Sequence, residues 1–274
     1  MLVSNDCLPA GHIGNHTAST HFPSASFNQW QLAGSGNFSL INGEMIVEPG
    51  NDLGLLFLVT QTFSDFHLKL EFQLGRIDDN SGIFVRFRNP RLPVPDRNLP
   101  GVSFFYNNQA FVGVDTGFEI QIDELARGNP DGLDEHRTGA VYGIPIGQNP
   151  GQQDYRRGPA LIPGQWNTYE IEVRGNTYVV RLNGQQTTSF TNNDLFRGKS
   201  KTTDPDSGYI GIQSHTGRLK FRNVQVMELP PALAVGPAEV TAAARVTPVE
   251  MPIGEPETEP ALVEAKKRAA KKSA

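Results

Sequence analysis

Gly117-Phe118-Glu119-Ile120-Gln121-Ile122-Asp123-Glu124 decides how the rest of this 274-residue chain reads. Successive side chains of a β-strand point to opposite faces. Phe118, Ile120 and Ile122 therefore share one face, and Glu119, Gln121 and Asp123 share the other. An ordinary exposed strand face carries Thr, Ser, Lys and mixed charges, whereas this one carries three acceptor-rich groups in a row. Two other stretches repeat the pattern, Ser81-Gly82-Ile83-Phe84-Val85-Arg86-Phe87-Arg88 and Tyr209-Ile210-Gly211-Ile212-Gln213-Ser214-His215-Thr216. In each, apolar residues hold one face, and Arg86 with Arg88, or Gln213 with His215, hold the other. Three such strands predict a sheet with one buried side and one binding side.

Around this centre the chain reads as all-β. Phe66-His67-Leu68-Lys69-Leu70-Glu71-Phe72 alternates cleanly, with His67, Lys69 and Glu71 outward, and Trp166–Val173 does the same. Asn42-Gly43 and Asn183-Gly184 are hairpin turns. Gly208–Ser214 and Leu219–Met227 read as two antiparallel strands joined at Thr216-Gly217. The 28 Gly and 20 Pro suit many short strands and turns. Two stretches resist the pattern, 89–116 and 124–160, and loops of that length inside a domain are usually functional or disordered.

Composition excludes several classes. A net charge of −5 argues against general nucleic-acid affinity in the core. One cysteine, Cys7, allows no intrachain disulfide and no zinc cluster. No run approaches the roughly 20 apolar residues of a membrane span. The first 20 residues lack the apolar stretch of a leader. The expected location, as the chain is written, is cytoplasmic, with export open if the start is incomplete. Residues 1–20 read as a flexible extension, 21–229 as a β-sandwich, and 230–274 as an Ala/Pro/Glu-rich linker with a basic tail whose partner is unknown.

At Asn80-Ser81-Gly82-Ile83-Phe84-Val85-Arg86 and Gly117–Asp123 the sequence resembles the 3-keto-disaccharide hydrolase domain family. Thr138-Gly139-Ala140-Val141-Tyr142, Gln165-Trp166-Asn167, Leu182-Asn183-Gly184, Gly211–His215 and Phe221-Arg222-Asn223-Val224 agree, in the family's order, over roughly residues 24–229. The resemblance implies a concanavalin A-like jelly-roll sandwich of two curved antiparallel sheets; the abrupt change of composition after Leu229 reads as a disordered C-terminal tail. The resemblance further implies a ligand cleft on the concave face and a carbohydrate substrate, a glycoside already oxidised at C3. It also implies cleavage by elimination followed by hydration.

Such chemistry needs a base near C2 and a donor or cation near the C3 oxygen. Glu119, Asp123 and His215 are the candidate catalytic residues, with the choice of base between Glu119 and His215 left open. Arg86 is the candidate oxyanion partner, since it cannot lose its charge. Gln121, Gln213, Tyr142 and Arg88 are the further candidates for substrate binding. Glu119, Asp123 and His215 could instead hold one divalent metal ion in the role of Arg86. The plainer readings are a salt bridge from Glu119 to Arg86 or Arg88, an Asx-turn at Asp123 and a turn cap at His215. His136 has no partner at useful spacing. A retaining glucanase needs carboxyls about 5–5.5 Å apart, whereas Glu119 and Asp123 have Cα atoms roughly 13 Å apart along the strand. A non-catalytic carbohydrate-binding domain on the same fold is the alternative function.

Overall fold

Clean alternation over Phe66–Leu74 and Trp166–Arg174 buries every second side chain, and these two strands pair in register at the centre of one large sheet. The computed structural model describes residues 19–21, 27–126, 132–193 and 207–230. The first strands are β1 (Ser19–His21), β2 (Trp30–Gly34), β3 (Asn37–Ile41), β4 (Glu44–Glu48), β5 (Gly54–Leu58), β6 (Phe66–Leu74), β7 (Asn80–Phe87), β8 (Val94–Pro95) and β9 (Ser103–Phe104). A short helix, α1 (Phe111–Thr116), precedes β10 (Phe118–Asp123), β11 (Gln153–Tyr155), β12 (Trp166–Arg174), β13 (Thr177–Leu182), β14 (Gln185–Thr191), β15 (Tyr209–Ser214) and β16 (Leu219–Glu228). Expectations for residues 1–18 and 231–274 lie outside the described residues.

The strands form a jelly-roll sandwich of two antiparallel sheets. One runs β11-β14-β13-β12-β6-β16-β4-β3, with β1 also on β16; the other runs β10-β7-β15-β5-β2. The main core lies between them. Phe66, Leu68, Leu70, Phe72, Tyr169, Ile171 and Phe221 come from the larger sheet, and Ile83, Val85, Ile120, Ile122 and Ile212 from the smaller. Each such side chain contributes about 1.5–3 kcal/mol when fully buried. The opposite face of the larger sheet is charged, as the alternation of His67, Lys69 and Glu71 requires: Glu170 meets His67 and Lys69, and Glu71 meets Arg222. Both hairpin turns form as read. Asn42 and Gly43 have φ of 53° and 80°, and Asn183 and Gly184 have 51° and 80°, the paired left-handed conformation that matches strand twist.

Three expectations change. β15 and β16 are not a hairpin: β15 sits between β7 and β5, while β16 pairs with β6, β4 and β1 in the other sheet. Residues 215–218 therefore cross between sheets. β1 also joins the larger sheet from Ser19, inside the stretch read as an extension.

The third change is at Arg86. The pairing of β7 with β15 skips it, with Tyr209 opposite Phe87 and Ile210 opposite Val85, and Arg86 has φ of 53°. This is a β-bulge, and one extra residue reverses every later side chain. Phe87 turns to the face opposite Ile83 and Val85, where it joins Phe57, Phe84 and Leu55 in a second apolar cluster. Arg88 falls out of phase with Glu119 as well; its backbone N–H donates to Thr116 Oγ1 at 2.9 Å. The Arg86 guanidinium, 4% exposed, points to the margin of the sandwich. Its Nε donates to the Ser64 carbonyl at 3.0 Å and Nη2 to Asp65 Oδ1 at 3.3 Å, and it lies 6.0 Å from the Tyr178 ring of the other sheet. Asp65 Oδ1 also accepts the Gly175 N–H at 2.8 Å. Arg86 is a clasp between sheets. Breaking one side of a buried charge pair costs about 3–5 kcal/mol, so Arg86→Ala should lower unfolding stability by about that amount in denaturant titration. Activity per folded molecule should remain close to the parent's.

Candidate functional site

The side of the smaller sheet that faces away from the core divides in two. Over β2, β5 and part of β7, the second apolar cluster of Ala33, Leu55, Phe57, Phe84, Phe87, Ala110 and Val114 is roofed by α1. Over β10 and the adjoining parts of β7 and β15, the face is polar. Strand register explains why. Asp123 stands opposite Asn80, and Gln121 opposite Gly82, with Gln213 next to Gly82 on β15. Phe118, Ile120 and Ile122 enter the main core, so Glu119, Gln121 and Asp123 project the other way.

These residues meet over Gly82. Gln213 Nε2 donates to Glu119 Oε1 at 2.6 Å. With its amide oriented so that nitrogen faces the carboxylate, Gln121 donates to the same oxygen at 3.1 Å and to the Ser81 carbonyl at 2.9 Å. Glu119, Gln121 and Gln213 are 4%, 1% and 4% exposed, so the carboxylate is held by two amides away from bulk water. Gln213 Oε1 is enclosed with no hydrogen-bond partner among the described residues. An unmatched buried acceptor costs about 1–3 kcal/mol.

Asp123 performs the plainer of its two expected tasks. Its Oδ1 accepts the Leu125 N–H at 3.0 Å, an Asx-turn at the strand end, and its Oδ2 accepts Asn80 Nδ2 at 3.0 Å. His215 lies one residue past β15 and is exposed. The described residues contain no group of three or more His, Cys, Asp or Glu able to hold a metal. Glu119, Asp123 and His215 therefore do not form the expected ligand set: both oxygens of Asp123 already accept protein N–H groups.

β10 is not an open edge. Residues 138–142 run antiparallel beside it, with Thr138 N–H on the Asp123 carbonyl (3.1 Å), Gly139 N–H on Gln121 (3.0 Å) and Tyr142 N–H on Glu119 (2.9 Å). From the far side of the core, the Tyr169 hydroxyl donates to the Gln121 carbonyl. Val141 enters the core beside Ile120, which places Tyr142 on the Glu119 face. The Tyr142 ring stacks on His136, centroids 4.3 Å apart and planes at 28°. Burial, then the charges of Glu119, Asp123 and Glu135, push the Tyr142 phenol well above its usual range. Burial also raises the Glu135 carboxyl. His136 is thus the imidazole brought against this group. Its signal in sequence was only its distance of six residues from Tyr142, which a loop can close in many ways.

A model of the 3-keto-alpha-glucoside-1,2-lyase-like domain matches residues 17–227. The chain belongs to that family. Among solved structures, the chain resembles two Parabacteroides distasonis ATCC 8503 proteins described provisionally as glycosyl hydrolases. One is 17% identical with a TM-score of 0.51, covering 74% of this chain and 90% of that one. The other is 20% identical with a TM-score of 0.46, covering 74% and 100%. The Bacillus subtilis carbohydrate-binding module CBM66 is 12% identical, with a TM-score of 0.44 and coverage of 73% and 96%. At these identities the first likeness shows the fold alone. No curated protein matches the chain in sequence.

Next to the Glu119–Gln121–Asp123 row, a cavity of about 150 Å³ is lined by Glu124, Arg137, Thr138, Tyr155 and Arg157 among others. Asp134 organises its cations: its Oδ1 accepts Arg137 Nε at 2.8 Å and Arg157 Nε and Nη2 at 2.9 and 2.6 Å. Hydrogen bonds from Arg157, and then from Arg137, hold the Asp134 carboxyl below the usual carboxylate range. A depressed folded-state pKa gives stability that is present above the unfolded value and lost as pH falls through the folded one. Asp134→Asn should therefore lower the Tm at neutral pH, with the difference shrinking as acid protonates the parent's carboxyl below the ordinary Asp range, measured by thermal melts across pH. Gly82 supplies a second expectation. A Cβ there would lie 2.5 Å from Glu119 Oε1 and 2.7 Å from its Cγ, so Gly82→Ala must displace the carboxylate. Overpacking costs typically 1–3 kcal/mol; the variant should stay folded in calorimetry with a lowered Tm, and its structure should show the Glu119 carboxylate moved away from Gln213.

Proposed function

We propose that the chain cleaves the glycosidic bond of sugars carrying a ketone at C3, by elimination across C1 and C2 followed by addition of water. The observation that carries this reading is the pairing of Glu119, fixed by two amides, with the unmatched acceptor Gln213 Oε1 on the polar face of a family member. A sugar hydroxyl is a donor of the kind Gln213 lacks, and a carboxylate shielded from water is a base.

The ketone makes the C2 proton acidic, because the resulting carbanion is delocalised onto the C3 oxygen. Glu119 takes that proton, and the electron pair forms the enolate. As the ketone re-forms, the pair moves into a C1–C2 double bond and the C1–O bond breaks; the leaving oxygen takes up a proton. Water then adds at C1 and a proton returns to C2, giving a free 3-keto sugar. Between the two bases considered from sequence, geometry favours Glu119, since His215 is exposed beyond the strand end. Asp123, committed to its turn and to Asn80, orients the strand end. Each step uses groups of the chain and solvent; among the described residues no cluster of three or more His, Cys, Asp or Glu is placed to hold a metal.

A second reading has one observation in its favour: amides and a buried carboxylate also suit a domain that binds sugars without changing them. Turnover separates the two. With a 3-keto-glycoside in D₂O, the released sugar should carry deuterium at C2, and the parent glycoside with an intact C3 hydroxyl should be inert. Glu119→Gln keeps the shape and should reduce the rate by roughly 10²–10⁴, the scale of a lost general base. Efficient cleavage of unoxidised glycosides, or product that keeps its original C2 hydrogen, would defeat the elimination. Tight binding without turnover would favour the second reading.

A further inference from the structure

We infer that Tyr142 is the hydrogen-bond donor to the C3 oxygen as the enolate forms, the role that sequence reading assigns to Arg86. The inference rests on the elimination reading and deepens it. An enolate builds negative charge on one oxygen, and fixed donors aimed at that position are usually the largest contribution to the rate. Arg86 cannot supply one, because its bulge turns it to Ser64 and Asp65. Arg137 and Arg157 are bound to Asp134.

Tyr142 has the placement that Arg86 lacks. It stands directly opposite Glu119, its N–H on the Glu119 carbonyl, while the next pair, Val141 and Ile120, enters the core. Side chains of such a cross-strand pair leave the same face with Cβ atoms about 4.5–5.5 Å apart. The proton to be removed and the oxygen that takes the charge sit on adjacent carbons, so base and donor must flank the same short unit. Glu119 and Tyr142 are spaced to do so. The ring is fixed by its stack on His136 and, unlike Glu119, the residue is partly exposed, so an entering sugar can approach it. A phenol that burial and three carboxylates keep protonated remains a donor at any working pH. In the step itself, Tyr142 donates a hydrogen bond and keeps its proton; Glu119 gains the C2 proton.

The test compares the full-length protein with Tyr142→Phe on two 3-keto-glycosides, one with an alkyl and one with a 4-nitrophenyl leaving group, following cleavage and C2 exchange in D₂O. The variant should melt within a few degrees of the parent. Its kcat should fall about 10²–10³-fold, the range for one lost oxyanion donor, equally for both substrates. KM should change little, and C2 exchange should fall with kcat. Unchanged C2 exchange in Tyr142→Phe would overturn the assignment. So would loss confined to the alkyl substrate, which would move Tyr142 to the leaving oxygen. If the parent protein neither exchanges C2 nor cleaves either substrate, the elimination itself fails, and that result is distinct from a parent that works and a variant that works as well.

Discussion

Glu119, Gln121 and Asp123 are buried side by side on one strand, and three polar groups in that position need hydrogen-bond partners within reach. Much of the surrounding architecture answers that need. Gln213 comes from β15 and Asn80 from β7, while Gly82 leaves the space across which Glu119 and Gln213 meet. Residues 138–142 satisfy the outer backbone edge, and Tyr169 reaches through the core to the Gln121 carbonyl. The strand cannot slide by one residue: the slip would put three polar side chains into the main core and Phe118, Ile120 and Ile122 out of it. Chemistry and register are therefore the same constraint.

For the proposed reaction, rigidity at that position has value. A base whose carboxylate is held by two amides need not reorganise when a substrate arrives, and preorganisation of this sort is what low-dielectric sites use to favour charge development. The unmatched Gln213 oxygen sits one atom away from the amide nitrogen that holds Glu119. A ligand that satisfied it would touch the same side chain that holds the Glu119 carboxylate, so in the proposed reaction binding and base placement are coupled through one amide plane.

Sequence periodicity reached the strands because burial on one side writes itself as alternation, and it reached the hairpins because two consecutive left-handed residues are tolerated by Asn-Gly and few other pairs. Polar residues on the Glu119 face were legible for the same reason. Arg86 was not, since a bulge depends on how β7 meets β15, and Val85-Arg86-Phe87 reads as unbroken alternation. His136 was not legible either: it sits in the 3-10 turn at Asp134–His136, which Asp134 ties to Arg137 three residues on and to Arg157 across 23 residues of sequence. The partition of β15 and β16 between sheets escaped the reading because a short link can turn a hairpin or cross a sandwich, and Thr216-Gly217 serves both. The family model covers the whole strand-bearing region, which fits a pattern read from motifs spread along it.

β16 occupies the middle of the larger sheet, bonded on one side to β6 and on the other to β4 and β1, yet it is the last strand of the described chain. As the chain leaves the ribosome, β6 and β4 must wait for a partner that lies some 150 residues further on. Contacts so distant in sequence slow folding, and unpaired strand edges are the surfaces on which nascent chains associate wrongly. The order of strands thus sets a kinetic demand that the finished sandwich no longer displays. A nascent chain that stops short of Leu219 lacks the seam of its own sheet, and the time before that seam closes is when chaperone protection matters most.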